Sequence, residues 1–130
     1  MIKARGGCLC GGVSFEVKTP VRNVVFCHCK QCRTAHGNFI GYTQSQLDGF
    51  HFVSDATLKW YASSKFATRG FCSECGSNMF WQEKGSDTIN FTAGCLQEPT
   101  HLRSESHIFV GSAGDYYQLN DELPKYDKSD

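Results

Sequence analysis

The sequence predicts a mostly β fold of short antiparallel strands. Three observations carry this: repeated period-two alternation of apolar and polar residues, turn signals at short intervals, and no apolar repeat of period 3.6 lasting three helical turns. Val13, Phe15 and Val17 alternate with Ser14, Glu16 and Lys18 in the first run. Val24-Val25-Phe26 and Phe39-Ile40-Gly41-Tyr42 come next, then Phe50-His51-Phe52-Val53 and Leu58-Lys59-Trp60-Tyr61, divided by the polar turn Ser54-Asp55-Ala56. Phe66 to Phe71, Asn78 to Trp81, Thr88 to Thr92 and His107 to Val110 complete the set, broken by Gly85-Ser86-Asp87 and Gln97-Glu98-Pro99. Helix is expected only in short pieces, one of them just after Cys32. Pro124 is expected to end the last ordered strand, with Asp127-Lys128-Ser129-Asp130 as a frayed polar tail. Ten Phe, five Tyr and two Trp suit a β core, where aromatic rings pack well on a pleated surface.

At 130 residues, without a linker, a low-complexity tract or a clear internal repeat, the chain reads as a single domain over residues 1–130. Its 13 Lys+Arg balance 13 Asp+Glu, which removes the global attraction to phosphate backbones or anionic lipid that a basic chain would have. Neither a nucleic-acid nor a membrane partner is expected. No apolar run reaches the length of a membrane span, and the start lacks the apolar stretch of a secretory signal, so a cytoplasmic location is expected.

Eight cysteines in such a chain need a reason other than disulfides, which do not persist in a reducing compartment. Cys8 and Cys10 are followed by Gly11-Gly12, and Cys72 and Cys75 by Gly76. Two thiolates on a tight turn reach one metal, and glycine accepts the backbone angles the turn demands. Two such half-sites complete a tetrahedral structural zinc of four cysteines; the competing explanation is buried free thiols. Cys27, Cys29 and Cys32 differ in kind, offering three thiolates within six residues. Three protein ligands and one open position describe a catalytic zinc, whereas a fourth ligand from elsewhere would make it a second structural site. A three-thiolate zinc is a weak Lewis acid toward water but holds a further sulfur well, which points to thiol chemistry. Cys95 and His28 are the obvious fourth ligands. Cys95 sits among apolar neighbours and is expected to be a small buried hydrophobe, and His28, alternating with two ligands, is expected to point away from their metal. The other four histidines show no metal-binding spacing and read as ordinary. Arg33 and Lys30 are cations beside the triplet; Arg33 is a candidate contact for a substrate anion, with a solvated surface role as the alternative.

These residues also carry a resemblance. Gly7-Cys8-Leu9-Cys10-Gly11-Gly12-Val13-Ser14-Phe15, Cys27-His28-Cys29-Lys30-Gln31-Cys32-Arg33 and Phe71-Cys72-Ser73-Glu74-Cys75-Gly76-Ser77 resemble the glutathione-dependent formaldehyde-activating enzyme family, which includes a centromere-associated branch. Ala93-Gly94-Cys95-Leu96 with Pro99, and His107 to Val110 followed by Asp121-Glu122-Leu123-Pro124, resemble that family's later segments, so the likeness runs from about Lys3 to about Tyr126. It implies a single zinc-containing, tent-like β domain of the Mss4-like group. It also implies two zinc ions per chain, a structural one on Cys8, Cys10, Cys72 and Cys75 and a catalytic one on Cys27, Cys29 and Cys32, in agreement with the spacing. The family's reaction adds glutathione to formaldehyde and is classed as carbon-sulfur lyase chemistry in reverse. The chain departs from the family pattern at Gln97-Glu98, at Gly111-Ser112-Ala113-Gly114 and at Tyr116, positions that bear on substrate.

The expected function is therefore addition of a small thiol such as glutathione to a small aldehyde, or the reverse, with no catalytic residues beyond the ligands of the open zinc site. The alternative is a non-catalytic interaction module with two structural zincs, and a third possibility is a sensor that works by oxidation of the triplet thiolates.

Overall fold

The computed structural model describes residues 1–129. Among them are ten strands and one α-helix: β1 (Ala4–Gly7), β2 (Val13–Val17), β3 (Val24–Cys27), α1 (Lys30–His36), β4 (Ile40–Gln46), β5 (Phe50–Asp55), β6 (Leu58–Ala62), β7 (Ala67–Cys72), β8 (Asn78–Glu83), β9 (Thr88–Thr92) and β10 (Ser104–Ile108). The mostly β expectation holds, and nine of the strands lie on or beside runs that the alternation marks. No helix among the described residues is long and apolar enough to cross a membrane. Contacts gather into two compact units, each made of two stretches of chain: residues 1–22 with 43–101, and residues 23–42 with the segment from Leu102 onward.

In the first unit β1, β2 and β5 form an antiparallel sheet in that order, and β6 to β9 pair as successive antiparallel neighbours. Burial along β2 alternates strictly, with Val13, Phe15 and Val17 at most 1% exposed, because period-two side chains share one face. Phe15 is the hub of the core: it stacks on Phe50 at 4.8 Å and meets Phe80 and Phe91 edge-on at 5.5 and 5.2 Å. Phe80 and Phe91 face one another across β8 and β9 and are both fully buried. Strand β1 has no alternation to reveal it, since Ala4-Arg5-Gly6-Gly7 carries little apolar surface. It forms because it pairs with β2 from Ala4↔Val17 to Gly7↔Ser14, and because Gly6 leaves room for Phe15, whose ring would lie 2.5 Å from an added Cβ.

The second unit holds β3, α1, the first residues of β4, and β10. Strand β3 pairs antiparallel with β4 through Val25↔Tyr42, Phe26↔Gly41 and Cys27↔Ile40. On its other side β3 pairs with β10, and that pairing is parallel, from Ser104↔Val24 to Ile108↔Cys27. An all-antiparallel arrangement is thus corrected at one pair, because alternation reports which face a side chain takes and not the direction of its neighbour. Helix α1 begins at Lys30, inside the cysteine triplet rather than after it, and ends at Gly37 in the left-handed conformation. The last strand ends at Ile108, not at Pro124; beyond it the chain makes one isolated bridge, His107↔Lys125. The expected fraying is also corrected as far as Lys128, since Phe109 and Gly111 donate backbone hydrogen bonds to the carbonyls of Lys128 and Asp127. Asp130 lies outside the described residues.

The aromatic hub predicts a sharp contrast between substitutions. Phe80→Ala should cost about 3–5 kcal/mol in denaturant unfolding, as expected for emptying a packed aromatic site, while Tyr61→Ala on exposed β6 should stay within about 0.5 kcal/mol. Similar losses for the two would remove Phe80 from the core.

Candidate metal centres

Four of the clustered cysteines come together in the first unit. The sulfurs of Cys8, Cys10, Cys72 and Cys75 all lie within 4.8 Å of one another. Cys8 and Cys10 follow β1, while Cys72 ends β7 and Cys75 lies in the turn before β8. Each pair is closed by a glycine with positive φ, Gly11 at 84° and Gly76 at 77°; Gly11 N–H donates to the Cys8 carbonyl and Gly76 N–H to that of Cys72. A side chain at either φ would be strained, which is why both positions are glycine.

Donors surround the sulfurs. Val13 N–H points at Cys8 Sγ (3.2 Å), and the N–H groups of Glu74 and Cys75 point at Cys72 Sγ (3.4 and 3.3 Å). Thr57 Oγ1 lies 3.1 Å from Cys72 Sγ and Ser77 Oγ 3.2 Å from Cys75 Sγ. Ser77 also accepts from Leu9 N–H at 3.1 Å, so one hydroxyl ties the two half-sites together. Such donors favour sulfur in its anionic, ligating form. The Ser77 hydroxyl, helped by its N–H, holds the Cys75 thiol down to about 5, and the Cys75 N–H and Thr57 hydroxyl lower Cys72. Cys10 moves the other way, up to about 12: the Gly12 N–H draws it down, but the Cys72 and Cys8 thiols beside it outweigh that pull.

Tetrahedral zinc with sulfur ligands at 2.3 Å has S···S edges of about 3.8 Å. The Cys8–Cys10 and Cys10–Cys72 separations are both 3.6 Å, close to that edge and far from the bonding distance of a disulfide, and none of the eight cysteines forms one. The donor set is all sulfur, the chemistry a structural zinc site favours, so the residues fit the ion.

The other three converge in the second unit. Cys27, Cys29 and Cys32 also have sulfurs within 4.8 Å of one another, with Cys32 and Cys27 3.4 Å apart. Cys27 ends β3, Cys29 caps α1 by accepting from Cys32 N–H at 3.2 Å, and Cys32 lies in its first turn. A strand end, a cap and a helical turn thus aim three thiols at one point. Cys27 and Cys32 are buried and Cys29 half-buried. The neighbouring thiols of Cys29 and Cys32, with burial, push the Cys27 thiol far up. This set fits a thiolate-loving ion as well, with three donors rather than four.

Neither of the fourth ligands suggested by sequence joins the triplet. Cys95 belongs to the first unit, half-buried rather than buried, with its thiol donating to the Thr92 carbonyl at 3.1 Å; burial pushes it up to about 11. His28 is fully buried, with Nδ1 2.7 Å from Tyr117 Oη and Nε2 2.8 Å from His107 Nδ1. Burial, then the electrostatic influence of His107 and Arg33, lowers His28 to about 4, so it is neutral near pH 7. His107 in turn places Nε2 2.8 Å from Asp121 Oδ2, and Lys125 Nζ lies 3.1 Å from Oδ1 of the same carboxylate. His107 is therefore not ordinary: it is 3% exposed and links His28 to a surface acid. When both rings are neutral, donation runs from Tyr117 through His28 and His107 to Asp121. Arg33 donates through Nε to the His28 carbonyl (3.3 Å) and through Nη2 to the Ser112 carbonyl (2.9 Å), while Lys30 is exposed.

Sequence reasoning missed Thr57, Ser77, His107, Tyr117 and Asp121. Ser77 alone had a local signal, its place two residues after Cys75. The others reach their partners through folding of distant segments.

The family model for the glutathione-dependent formaldehyde-activating enzyme matches residues 3–112, a span containing all seven clustered cysteines and ending before Tyr117 and Asp121. An uncharacterised lyase of Schizosaccharomyces pombe is 27% identical, over 72% of this chain and 77% of the relative. Among solved structures, a Rhodobacter sphaeroides protein from a structural-genomics programme superimposes with a TM-score of 0.60 at 24% identity, covering 72% of this chain and 88% of that one; the likeness is one of fold.

The Asp121 contact sets a pH expectation. The His107 bond, more than the Lys125 and Leu123 contacts, holds the Asp121 carboxyl down at about 2 against an ordinary 3.8. Its contribution to stability is complete above about pH 4 and is lost as pH falls through about 2. A carboxyl resonance titrating near 2 is the expected NMR result; a midpoint near 3.8 would show that the bond to His107 is not made.

Proposed function

The chain belongs to the glutathione-dependent formaldehyde-activating enzyme family, and from that premise we propose that it is a zinc-dependent carbon-sulfur lyase joining a small thiol to a small aldehyde as a hemithioacetal, or cleaving that product. The observation that carries the proposal is the three-donor set in the second unit. Cys27, Cys29 and Cys32 converge, while His28, between two of them in sequence, has both ring nitrogens engaged elsewhere.

In this reading Cys8, Cys10, Cys72 and Cys75 hold a structural zinc, and Cys27, Cys29 and Cys32 hold a second ion with one position open. Zinc bound there would lower the pKa of an incoming thiol and fix its sulfur. The chain supplies the rest. Its three thiolates favour a fourth sulfur over water, and the cap and strand end fix the direction of approach. Arg33, anchored through two of its five N–H groups, keeps others for the carboxylate of an acidic thiol such as glutathione. Burial of Cys27 and Cys32 limits water around the nucleophile. The reaction is an addition: the thiol proton ends on the aldehyde oxygen as a C–S bond forms, with no oxidant or reductant. Such chemistry belongs in a reducing compartment, and we assign the protein to the cytoplasm.

Purified protein with two zincs per chain should accelerate hemithioacetal formation from glutathione and formaldehyde; absence of both turnover and thiol binding, across small thiols, would sink the proposal. Cys29→Ser should lose one zinc and remain folded, whereas Cys72→Ser should unfold or aggregate, because binding of a structural zinc is part of the folding free energy. Equal collapse of the two, read by metal content and thermal melting, would favour two structural sites. Arg33→Gln should raise KM for glutathione about tenfold more than KM for uncharged 2-mercaptoethanol, the size of one lost charged hydrogen bond. An equal rise for both would assign Arg33 a scaffolding role alone.

A further inference from the structure

His28 stands between two of the three ligands of the proposed open site, and every polar group it owns is bonded. Its N–H donates to the Ile108 carbonyl at 3.0 Å and its carbonyl accepts from Arg33 Nε at 3.3 Å. Its ring meets Tyr117 Oη and His107 Nδ1 at 2.7 and 2.8 Å, and His107 continues to Asp121 at 2.8 Å. Aromatic rings hold the chain of groups in place: Phe39 lies 4.5 Å from the His28 ring, and Phe26 stacks on His107 at 5.2 Å. The two buried rings at the centre of this chain of groups are fully satisfied and therefore rigid, because moving either leaves the other without a partner in a low dielectric.

Two consequences follow for the ligands. The peptide segment joining Cys27 to Cys29 cannot turn without breaking bonds to β10, to α1 and to the segment after Ser112. The imidazole cannot swing toward the three sulfurs without leaving Tyr117 and His107. We propose that His28, held through His107 and Asp121, is the positioning residue of the triplet: it fixes Cys27 and Cys29 in ligating geometry and withholds its own ring, so the fourth position stays open to an incoming thiol. The inference rests on the triplet being a metal site with one open position.

Cobalt(II) tests it, since its ligand-field and thiolate charge-transfer bands report the donor set without turnover. Wild-type protein should take two cobalt ions, and 2-mercaptoethanol should change the spectrum of the triplet site. In Asp121→Ala the four-cysteine site should load normally, which checks folding. The triplet site should bind cobalt about 10-fold more weakly, the usual scale for loss of a supporting group, with an altered spectrum and a diminished response to 2-mercaptoethanol, because His107 without Asp121 holds the His28 ring less firmly and lets it compete. Asp121→Glu should restore all three readouts. Tyr117→Phe, which removes one hydroxyl, should shift them in the same direction and decides the matter if Asp121→Ala does not load its first cobalt. Wild-type affinity, spectrum and thiol response in Asp121→Ala and Tyr117→Phe would overturn the inference and leave the lyase proposal standing. A wild-type triplet spectrum indifferent to 2-mercaptoethanol would instead remove the open site on which both depend.

Discussion

Seven sulfurs gathered in two groups, each within 4.8 Å, is an arrangement that repels itself once the thiols ionise. The rest of the structure is organised around that constraint. Neutral thiols packed this closely make poor hydrogen bonds, and anionic ones need a cation at their centre. The N–H and hydroxyl groups aimed at Cys72 and Cys75 hold those two sulfurs on the anionic side, and the glycines at 11 and 76 let the backbone turn tightly around both cysteine pairs. Glycine adopts this left-handed backbone without steric penalty, so both cysteine turns form without strain.

The two units solve the problem of burial differently. The first is built on apolar contact, with Phe15 gripping Phe50, Phe80 and Phe91, and its cysteine group sits at the edge with Cys10 exposed. The second places polar groups at its centre, with His28 and His107 buried among Phe26, Phe39 and Tyr117. A hydrophobic core tolerates some repacking, whereas a histidine pair in a low dielectric has few acceptable arrangements. The second unit therefore has less freedom to rearrange than the first.

The two cysteine groups and most strands were legible because both are written locally. Cysteine spacing with following glycine marks the half-sites, and Val13, Phe15 and Val17 declare a half-buried strand without reference to anything distant. What sequence concealed depends on partners far along the chain. Strand β1 has no pattern of its own and exists through β2. The parallel pairing of β3 with β10 joins segments some eighty positions apart, and period-two alternation carries no record of it. His107 looked ordinary because a histidine in isolation does not show whether it faces water or, as here, a second histidine and Asp121. Tyr117 and Asp121 were hidden for the same reason: their role depends on the return of the chain past β10.

That return has a temporal side. His107 follows His28 by 79 positions, and Asp121 comes later still. On the ribosome, Cys27, Cys29 and Cys32 emerge long before the residues that brace them, while all four cysteines of the other group are present once Cys75 has appeared. If the groups hold ions as proposed, an ion arriving during synthesis meets all four cysteines of one group while the other group still lacks the residues that brace it. On the proposed reading, the order of synthesis therefore favours filling the four-cysteine group early and leaves the three-cysteine group to be completed last, when the final segment docks beside β10.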